Sequence, residues 1–580
     1  MRKAINTELA RAPTGQTTFA RATKMNGKSR VVQRHTSLFL QREQWLRIWK
    51  EIRDNELPYD GQFDDDQAGK PNLHDDHIYT ALVGDCRAIF AAGVMSGLTP
   101  PSRKWFRLTL ADATLSDNNL VKRVLDQRND ILEYTLSRSN YYNTMHTVYA
   151  ELPFGQAPVG IFQSAHGVTF VPYPIGTYAL GTNGEGVVDT FARKVKMTAA
   201  QIVGQFGLDH CPQYIQDVYR RTGGYTDWYT VCWLVEKNDT ANTTELGNQK
   251  MPYRSVYWVD GSGYDEVLAV SGFEEWPVPV ARYNVKGLEA YATGPGWDAL
   301  PDARMLQKME YDSAVATELG IKPPMQGPAE VARKLNLFPG GFTPNVDPSN
   351  SVRPLFQGQL DIGTLEAKIA RTEDRIKRKF STDLFLMLDQ LDRGQMTAQE
   401  VMARNQEKLA QLGPVVERLQ SEFLNSIIER VYNILDRNGV FPPIPDEVID
   451  IMEGQEIKIE YLSPLAQAQK MSGLTAIEQG IAFTGQVAQL DPNVLQRVDF
   501  ADAVAKYLDR IGVPATMIRS EEEYQKIMEQ QQKAQEAAQQ EAMAAQQIQQ
   551  AAPIAQAAKN LTDAANDGNP ALREMMGMQS

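Results

Sequence analysis

The spacing of apolar residues changes twice along this 580-residue chain, and these changes most constrain its fold. In the middle third, short runs rich in Val, Thr and aromatic residues are bounded by Gly, Asn and Asp, a pattern typical of antiparallel strands. From Pro301 onward, apolar residues recur at helical spacing. The sequence therefore predicts an α+β fold, in which a strand-rich region precedes long helices.

Two kinds of segment follow from this pattern. The predicted strands are Gly167–Pro172, Val187–Met197, Tyr229–Lys237, Tyr253–Val259 and Val267–Phe273. Turns are predicted at Thr182-Asn183-Gly184 and at Asp260-Gly261-Ser262-Gly263. The predicted helices are 37–57, His77–Val94, Pro301–Lys322 and Leu365–Leu391, with a further helix opened by Thr397 and Glu400 as a capping box and running to about Asn438.

The charge of the chain is unevenly distributed. Residues 1–36 hold eight Lys or Arg against one Glu, about +7, whereas the whole chain carries −13, which leaves about −20 for the rest. The basic segment has no apolar period and is predicted to be a flexible arm. The acidic remainder argues against tight binding of DNA by the whole surface. Three scattered cysteines predict no disulfide framework, and we find neither a membrane-spanning run nor a secretory signal.

Motifs of enzyme and metal chemistry are weak in this sequence. Residues from Ala22 to Ser29 match a relaxed phosphate-loop pattern, but no strand run precedes them, so a basic arm is the simpler reading. His74-Asp75-Asp76-His77 is either a metal-binding cluster or a polar loop whose Asp caps the next helix. We find no motif of a catalytic nucleophile, and we expect no catalytic residue, cofactor or metal.

The helix Leu365–Leu391 is more informative, because basic residues crowd its first half. At about 1.5 Å per residue it would span roughly 40 Å. Six Lys or Arg lie between positions 366 and 379, against three acids, Glu366, Glu373 and Asp374. One reading is a solvated face with i,i+4 ion pairs such as Glu373–Lys377. The other is a basic band that meets phosphate groups without reading base sequence.

Several ordered motifs resemble the head-to-tail connecting (portal) proteins of short-tailed, T7-like bacteriophages. The motifs span roughly residues 37–470, and their order makes the resemblance far more specific than any one of them. They are Ser96-Gly97-Leu98-Thr99-Pro100-Pro101-Ser102-Arg103-Lys104-Trp105-Phe106-Arg107-Leu108, Ser139-Asn140-Tyr141-Tyr142 with His146 and Tyr149, Leu152-Pro153-Phe154-Gly155, Trp276-Pro277-Val278-Pro279, Ala281-Arg282-Tyr283, Gly294-Pro295, Ala299-Leu300-Pro301-Asp302, Pro323-Pro324 and Arg393-Gly394-Gln395-Met396-Thr397-Ala398 with Glu400-Val401.

The resemblance implies a portal fold built of named parts. After the arm 1–36, these are an α/β wing of 37–300, a first stem helix of 301–325, a clip of 326–362, a second stem helix of 363–391, a channel loop of 392–397, wing helices of 398–454, a helical crown of 455–528 and a Gln/Ala-rich barrel helix or disordered tail of 529–580. Within the wing signature, we expect Trp105 and Phe106 in the core and Arg103 and Lys104 available to a neighbouring subunit.

The resemblance also implies a function without catalysis. We expect a ring of twelve subunits at one capsid vertex, through which double-stranded DNA passes during packaging and ejection. The implied partners are the terminase large subunit, a tail adaptor, the major capsid and scaffolding proteins and internal core proteins, with no membrane, in a virion assembled in the host cytoplasm. The candidate DNA-facing residues are Lys368, Arg371, Arg375 and Arg378 on the stem and Arg393 and Gln395 on the channel loop.

Two alternatives come from other features of the sequence. The pattern from Ala22 to Ser29 would suit a nucleotide-handling packaging enzyme, which predicts nucleotide binding by the purified chain. The Gln/Ala tract would suit a helical scaffold inside the capsid, which predicts assembly without an axial channel.

Overall fold

A computed structural model gives the fold as two compact units, Met1–Thr475 and Ala476–Ser580. The structure describes residues 28–64, 66, 69–70, 74–112, 118–164, 167–239, 241, 250–262, 266–327, 353–354, 362–386, 412–446, 448–449, 456–463 and 465, and scattered helical positions from 483 to 560. The elements given below all belong to the first unit. Among the described residues, no helix is both long and apolar enough to cross a membrane.

Five of the helices given next overlap predicted helices and differ from them at their ends, whereas the four between Asn119 and Thr222 were not predicted. They are α1 (Lys28–Asn55), α2 (Leu82–Leu98), α3 (Asn119–Arg138), α4 (Tyr141–Glu151), α5 (Ala199–Phe206), α6 (Gln213–Thr222), α7 (Pro295–Ile321), α8 (Ile362–Lys379) and α9 (Asn425–Arg437). Helix α1 begins inside the predicted arm 1–36, because Val31 and His35 are buried against the sheet. Helix α2 is capped by Ala81, so neither Asp75 nor Asp76 is its cap.

The strands form one large sheet and several small ones. They are β1 (Phe106–Leu110), β2 (Gln156–Ser164), β3 (Gly167–Pro172), β4 (Tyr178–Thr182), β5 (Val188–Thr198), β6 (Trp228–Lys237), β7 (Tyr253–Val259), β8 (Ala269–Phe273), β9 (Val280–Arg282), β10 (Asn284–Val285), β11 (Ala292–Thr293), β12 (Met325–Gln326), β13 (Arg353–Pro354) and β14 (Ile457–Tyr461). Strands β4 to β8 make an antiparallel sheet in chain order, and β2 pairs with both β3 and β9. The predicted strands are confirmed to within two residues, as is the turn at Thr182-Asn183-Gly184.

Helix α1 joins the large sheet to the rest of the unit. Its first half packs on the sheet, and its second half buries Trp49 and Ile52 in the main core. Arg42, also fully buried, donates to the carbonyl oxygens of Tyr178, the first residue of β4, and of Gly176 just before it. Because β4 is an edge strand, these bonds satisfy carbonyl groups that have no neighbouring strand.

Several of the motifs that carry the resemblance contribute buried residues to this fold. Trp105 and Tyr141 are buried with parallel rings 6.1 Å apart, and the hydroxyl groups of Thr99 and Tyr149 lie 3.1 Å apart. Gly155 has a φ of +114°, and a Cβ there would collide with the carbonyl oxygen of Ala292. These motifs are therefore required by packing and backbone geometry.

Strands β1 and β14 bring distant parts of the chain together. They pair antiparallel from Phe106 opposite Tyr461 to Leu110 opposite Ile457. Trp105 and Phe106 are buried as predicted, and Phe106 begins β1, while Lys104 pairs with Asp130 of its own chain. Strand β14 lies in the segment predicted to be the helical crown, 455–528, and pairs with a strand of the segment predicted to be the wing, 37–300.

Helices α7 and α8 form an antiparallel hairpin, which we call the stem hairpin. Asp302 near the start of α7 pairs with Arg375 near the end of α8, and the ribbon of β12 and β13 joins their other ends. Helix α7 begins at Pro295 and contains Pro301, whereas the sequence predicted a start at Pro301. The predicted clip 326–362 is described only at its ends, and the channel loop 392–397 lies outside the described residues.

Candidate nucleic-acid interface

The basic residues of α8 form one stripe along the helix, which we call the basic stripe. It contains the four stem candidates Lys368, Arg371, Arg375 and Arg378, together with Lys379. At about 100° per residue, these five side chains fall within an arc of about 100°. All five are exposed in the single chain. The sequence analysis identified four members, although counting around the helix from Arg371 would also have found Lys379.

The orientation of the stripe is fixed by the buried side of α8. Thr372, Ile376 and Phe380 are each at most 2% exposed and lie on the side that faces α7 and α2. The ring of Phe380 meets the edge of Phe90 on α2 at a centroid distance of 6.3 Å. Because burying these side chains favours a single rotation of α8, the stripe is held away from the core.

One charge of the stripe already has a partner. A guanidinium nitrogen of Arg375 lies 2.9 Å from a carboxylate oxygen of Asp302, and the arginine remains half exposed. The same guanidinium donates to the hydroxyl of Thr372 at 3.3 Å. Arg375 therefore joins the two helices of the stem hairpin and offers less net charge to a ligand than its neighbours. No local pattern of residues indicates this pair, because Asp302 lies 73 positions before Arg375 in the chain.

The local ion pair predicted for α8 is also present. Lys377 lies 3.3 Å from Glu373, one turn earlier on the helix. Lys377 is on the side of α8 opposite Lys368, so this pair leaves the basic stripe untouched. The two interpretations of the helix therefore describe different faces. One face carries the solvated ion pair of Glu373 and Lys377, and the other carries the basic stripe.

Helix α8 ends twelve residues before the predicted Leu391. Ser381 adopts a left-handed backbone with a φ of 51°, and the Thr382 hydroxyl donates to the carbonyl oxygen of Lys377 at 3.2 Å. A short helical turn, 382–386, follows. Arg393 and Gln395, the channel-loop candidates, lie outside the described residues.

Other chemical candidates have structural partners. A ring nitrogen of His74 lies 3.0 Å from Asp66, and within the described part of the chain no group of three His, Cys, Asp or Glu could hold a metal ion. Cys86, Cys211 and Cys232 are buried free thiols. Burial raises the pKa of Cys86 and of Cys211 to about 11, which keeps both thiols protonated near neutral pH.

Comparison with known proteins decides the family. A family model described as bacteriophage head to tail connecting protein matches residues 28–518. The chain belongs to this family. As a head-to-tail connector, it is part of a capsid- and tail-associated oligomeric assembly of the virion.

Two relatives of this connector carry portal names. The portal protein of Salmonella phage epsilon15 is 31% identical over 509 residues, which cover 87% of this chain and 91% of the relative. The probable portal protein of Bordetella phage BPP-1 is 31% identical over 505 residues, covering 86% and 90%. The similarity thus extends along nearly the whole length of both relatives.

Proposed function

We propose that this head-to-tail connector forms the portal ring of its virion, with twelve copies around a channel for double-stranded DNA. The observation that carries the proposal is the exposed basic stripe on one face of the stem hairpin, in a chain whose family and relatives are connectors and portals. The same ring would conduct DNA inward during packaging and outward during ejection.

The proposed channel passes DNA without holding it. Lys368, Arg371, Arg375 and Arg378, with Arg393 and Gln395 on the channel loop, would meet phosphate groups, which carry no sequence information. The net charge of −13 per copy repels the duplex and keeps it centred. The basic residues would lower the local energy barriers to movement of the DNA along the channel. At physiological salt the Debye length is about 8 Å, so each contact acts only at short range.

The proposed partners follow from the parts of the ring. The clip would dock first the terminase large subunit and later the tail adaptor. The wing would contact the major capsid and scaffolding proteins, and the crown or barrel would face internal core proteins. Each subunit would act as a structural part, with no catalytic residue of its own.

Electron microscopy of the purified chain tests the ring. Class averages should show a twelve-fold ring with a central hole, and the ring should bind no nucleotide. Assemblies without an axial channel would favour a capsid-interior scaffold. Nucleotide binding by the purified chain would instead favour a packaging enzyme.

Charge reversal tests the channel residues. Arg378→Glu and Arg393→Glu should each leave rings intact but reduce the packaged or retained DNA per particle several-fold, because a repulsive charge replaces an attractive one. Lys377→Glu is the matched control, since it makes the same charge change on the opposite face of α8. Normal packaging and retention in both stripe and loop variants would remove these residues from the mechanism.

A further inference from the structure

One arginine of the large sheet lies among aromatic and apolar side chains without a negatively charged partner. Arg193 is in β5, and its neighbours across the strands are Tyr178 on β4 and Trp233 on β6. Its guanidinium carbon lies 4.5 Å from the centre of the Tyr173 ring. Among the described residues no carboxylate is within ion-pair distance of Arg193, and its enclosed Nε donates to no acceptor.

The most deeply buried arginines of the described residues all differ from Arg193 in this respect. Each of them pairs with a carboxylate: Arg42 with Asp64, Arg53 with Asp54, Arg128 with Asp436, Arg282 with Glu422 and Arg430 with Glu275. Burial lowers the pKa of Arg193, as it lowers those of Arg42 and Arg430. The carboxylates of Asp64 and Glu275 raise the pKa of those two again, whereas no carboxylate does so for Arg193.

The side chain of Arg193 lies where two apolar clusters meet, a place we call the seam. Phe191 and Trp233 belong to the main core, and Val195 packs on the smaller cluster beneath α5 and α6. Tyr257 packs against both clusters, with its ring centre 5.1 Å from that of Trp233 and nearly parallel to it. Because a guanidinium keeps its charge in proteins and an unpaired charge is costly among apolar groups, the seam favours an anion.

The donors of the seam are available to a small ligand. Arg193 as a whole is partly exposed, and Nε is the nitrogen that is enclosed, so its two terminal nitrogens reach solvent. The Tyr257 hydroxyl is near enough for Arg193 to lower its pKa against the larger, opposite effect of burial. Within the part of the chain that the structure describes, this hydroxyl has no hydrogen-bond partner. Arg193 and Tyr257 therefore offer N–H and O–H donors that their own chain does not use.

We propose that Arg193 and Tyr257 bind one carboxylate, held by the terminal guanidinium nitrogens and the tyrosine hydroxyl between the rings of Tyr173 and Trp233. A planar carboxylate matches the fork of a guanidinium and balances its single charge. A phosphate monoester carries about −1.5 to −2 and would leave unpaired negative charge in the seam. The carboxylate belongs to a small organic acid or ends the side chain of an Asp or Glu of a bound protein. The site needs neither the basic stripe nor the ring.

Saturation-transfer NMR on the full-length chain detects such binding. Acetate is the probe for a free acid, and N-acetylglutamate methylamide presents the same group on a peptide backbone. Arg193→Met removes the charge at similar side-chain length, and Tyr257→Phe removes only the hydroxyl. The matched control is Arg254→Met, which removes a cation from β7 of the same sheet, where Arg254 already pairs with Glu236.

Arg193→Met should weaken acetate binding about tenfold, which corresponds to about 1.4 kcal/mol of binding free energy. Tyr257→Phe should weaken it severalfold, because one hydrogen bond is lost. The control should bind acetate as the unmodified chain does. Without any carboxylate present, Arg193→Met should melt at a higher temperature than the unmodified chain, because it removes an unpaired charge, whereas Arg254→Met should melt at a lower one.

The unmodified chain and Tyr257→Phe keep the test decisive even if Arg193→Met does not fold. No transfer to either probe in the unmodified chain, or undiminished transfer in Tyr257→Phe, overturns the site. Inorganic phosphate or dimethyl phosphate that displaces acetate at equal concentration also overturns it, the diester standing for the backbone of DNA. Binding of acetate alone supports the site with a small acid as its ligand, and binding of both probes supports it with an Asp or Glu side chain.

Discussion

The segment predicted to be the wing, 37–300, and the outer half of α7, residues 308–321, place their apolar residues in opposite environments. In the wing, Trp49, Phe106 and Phe191 are all fully buried by their own chain. In the outer half of α7, Tyr311, Leu319 and Ile321 remain exposed. The wing is therefore stabilised by its own core, whereas the described residues of the chain leave these three side chains of α7 at least 41% exposed.

The largest expected difference between the two regions is the effect of removing an aromatic ring. Phe106→Ala should lower the free energy of unfolding by about 3–5 kcal/mol, because it leaves a cavity in the core. Tyr311→Ala is the control and should change it by only about 0.5–1.5 kcal/mol, because this ring is 47% exposed and packs only at its side on Tyr79, at a centroid distance of 5.1 Å. Urea unfolding of the full chain, followed by tryptophan fluorescence, measures both. Equal losses would contradict the division into two regions.

The next difference concerns pH. Burial, and secondarily the nearby charge of Asp60, raises the pKa of Glu151 from 4.5 to about 8. The folded chain therefore holds a proton there that the unfolded chain releases. This stabilisation is complete below about pH 4.5 and is lost as the pH rises through about 8, at up to about 1.4 kcal/mol per pH unit.

Replacing Glu151 tests that slope. Glu151→Gln should flatten the fall in unfolding free energy between pH 5 and pH 8, because the amide carries no titrating proton. Glu310→Gln, at a partly exposed position in the outer half of α7, serves as the control and should leave the slope of unfolding free energy against pH unchanged. An unaltered slope in Glu151→Gln would show that this carboxyl does not control the pH response of the wing.

The smallest expected change in unfolding free energy is at Ser381, just after the end of the stem helix α8. Ser381 holds a φ of 51° at the end of α8, a conformation that costs a residue with a Cβ about 1–2 kcal/mol. Ser381→Gly should therefore raise the unfolding free energy by about 1 kcal/mol, read as a higher melting temperature. Ser381→Ala keeps the Cβ and should give no gain. A gain in both variants would indicate that the hydroxyl, and not the backbone, is responsible.

Residue patterns predicted some elements well and missed others for physical reasons. Gly167–Pro172 and Tyr253–Val259 have clear ends, and the structure confirms both. Strand β2 was missed because the first six of its residues are all buried, so its sequence shows no alternation. The second stem helix was predicted too long, because its apolar spacing continues past Ser381. The left-handed backbone of Ser381, which follows the end of α8, has no counterpart in that spacing.

The basic stripe could be predicted only in part. Its sequence positions follow from helical spacing, which is a local property of the chain. The partner of Arg375 depends on how α7 lies beside α8, and no local pattern records that arrangement. Long-range pairing of this kind requires the three-dimensional structure.

The ribbon of β1 and β14 has a consequence for how the chain is made. Arg107 and its ion-pair partner Glu460 are 353 residues apart in sequence. At roughly 5–20 residues per second, the ribosome delivers the second strand on the order of 20–70 s after the first. Until then the edge of β1 is unpaired, so this two-stranded sheet forms only after Tyr461 has been synthesised, and shorter nascent chains leave that edge open to other strands.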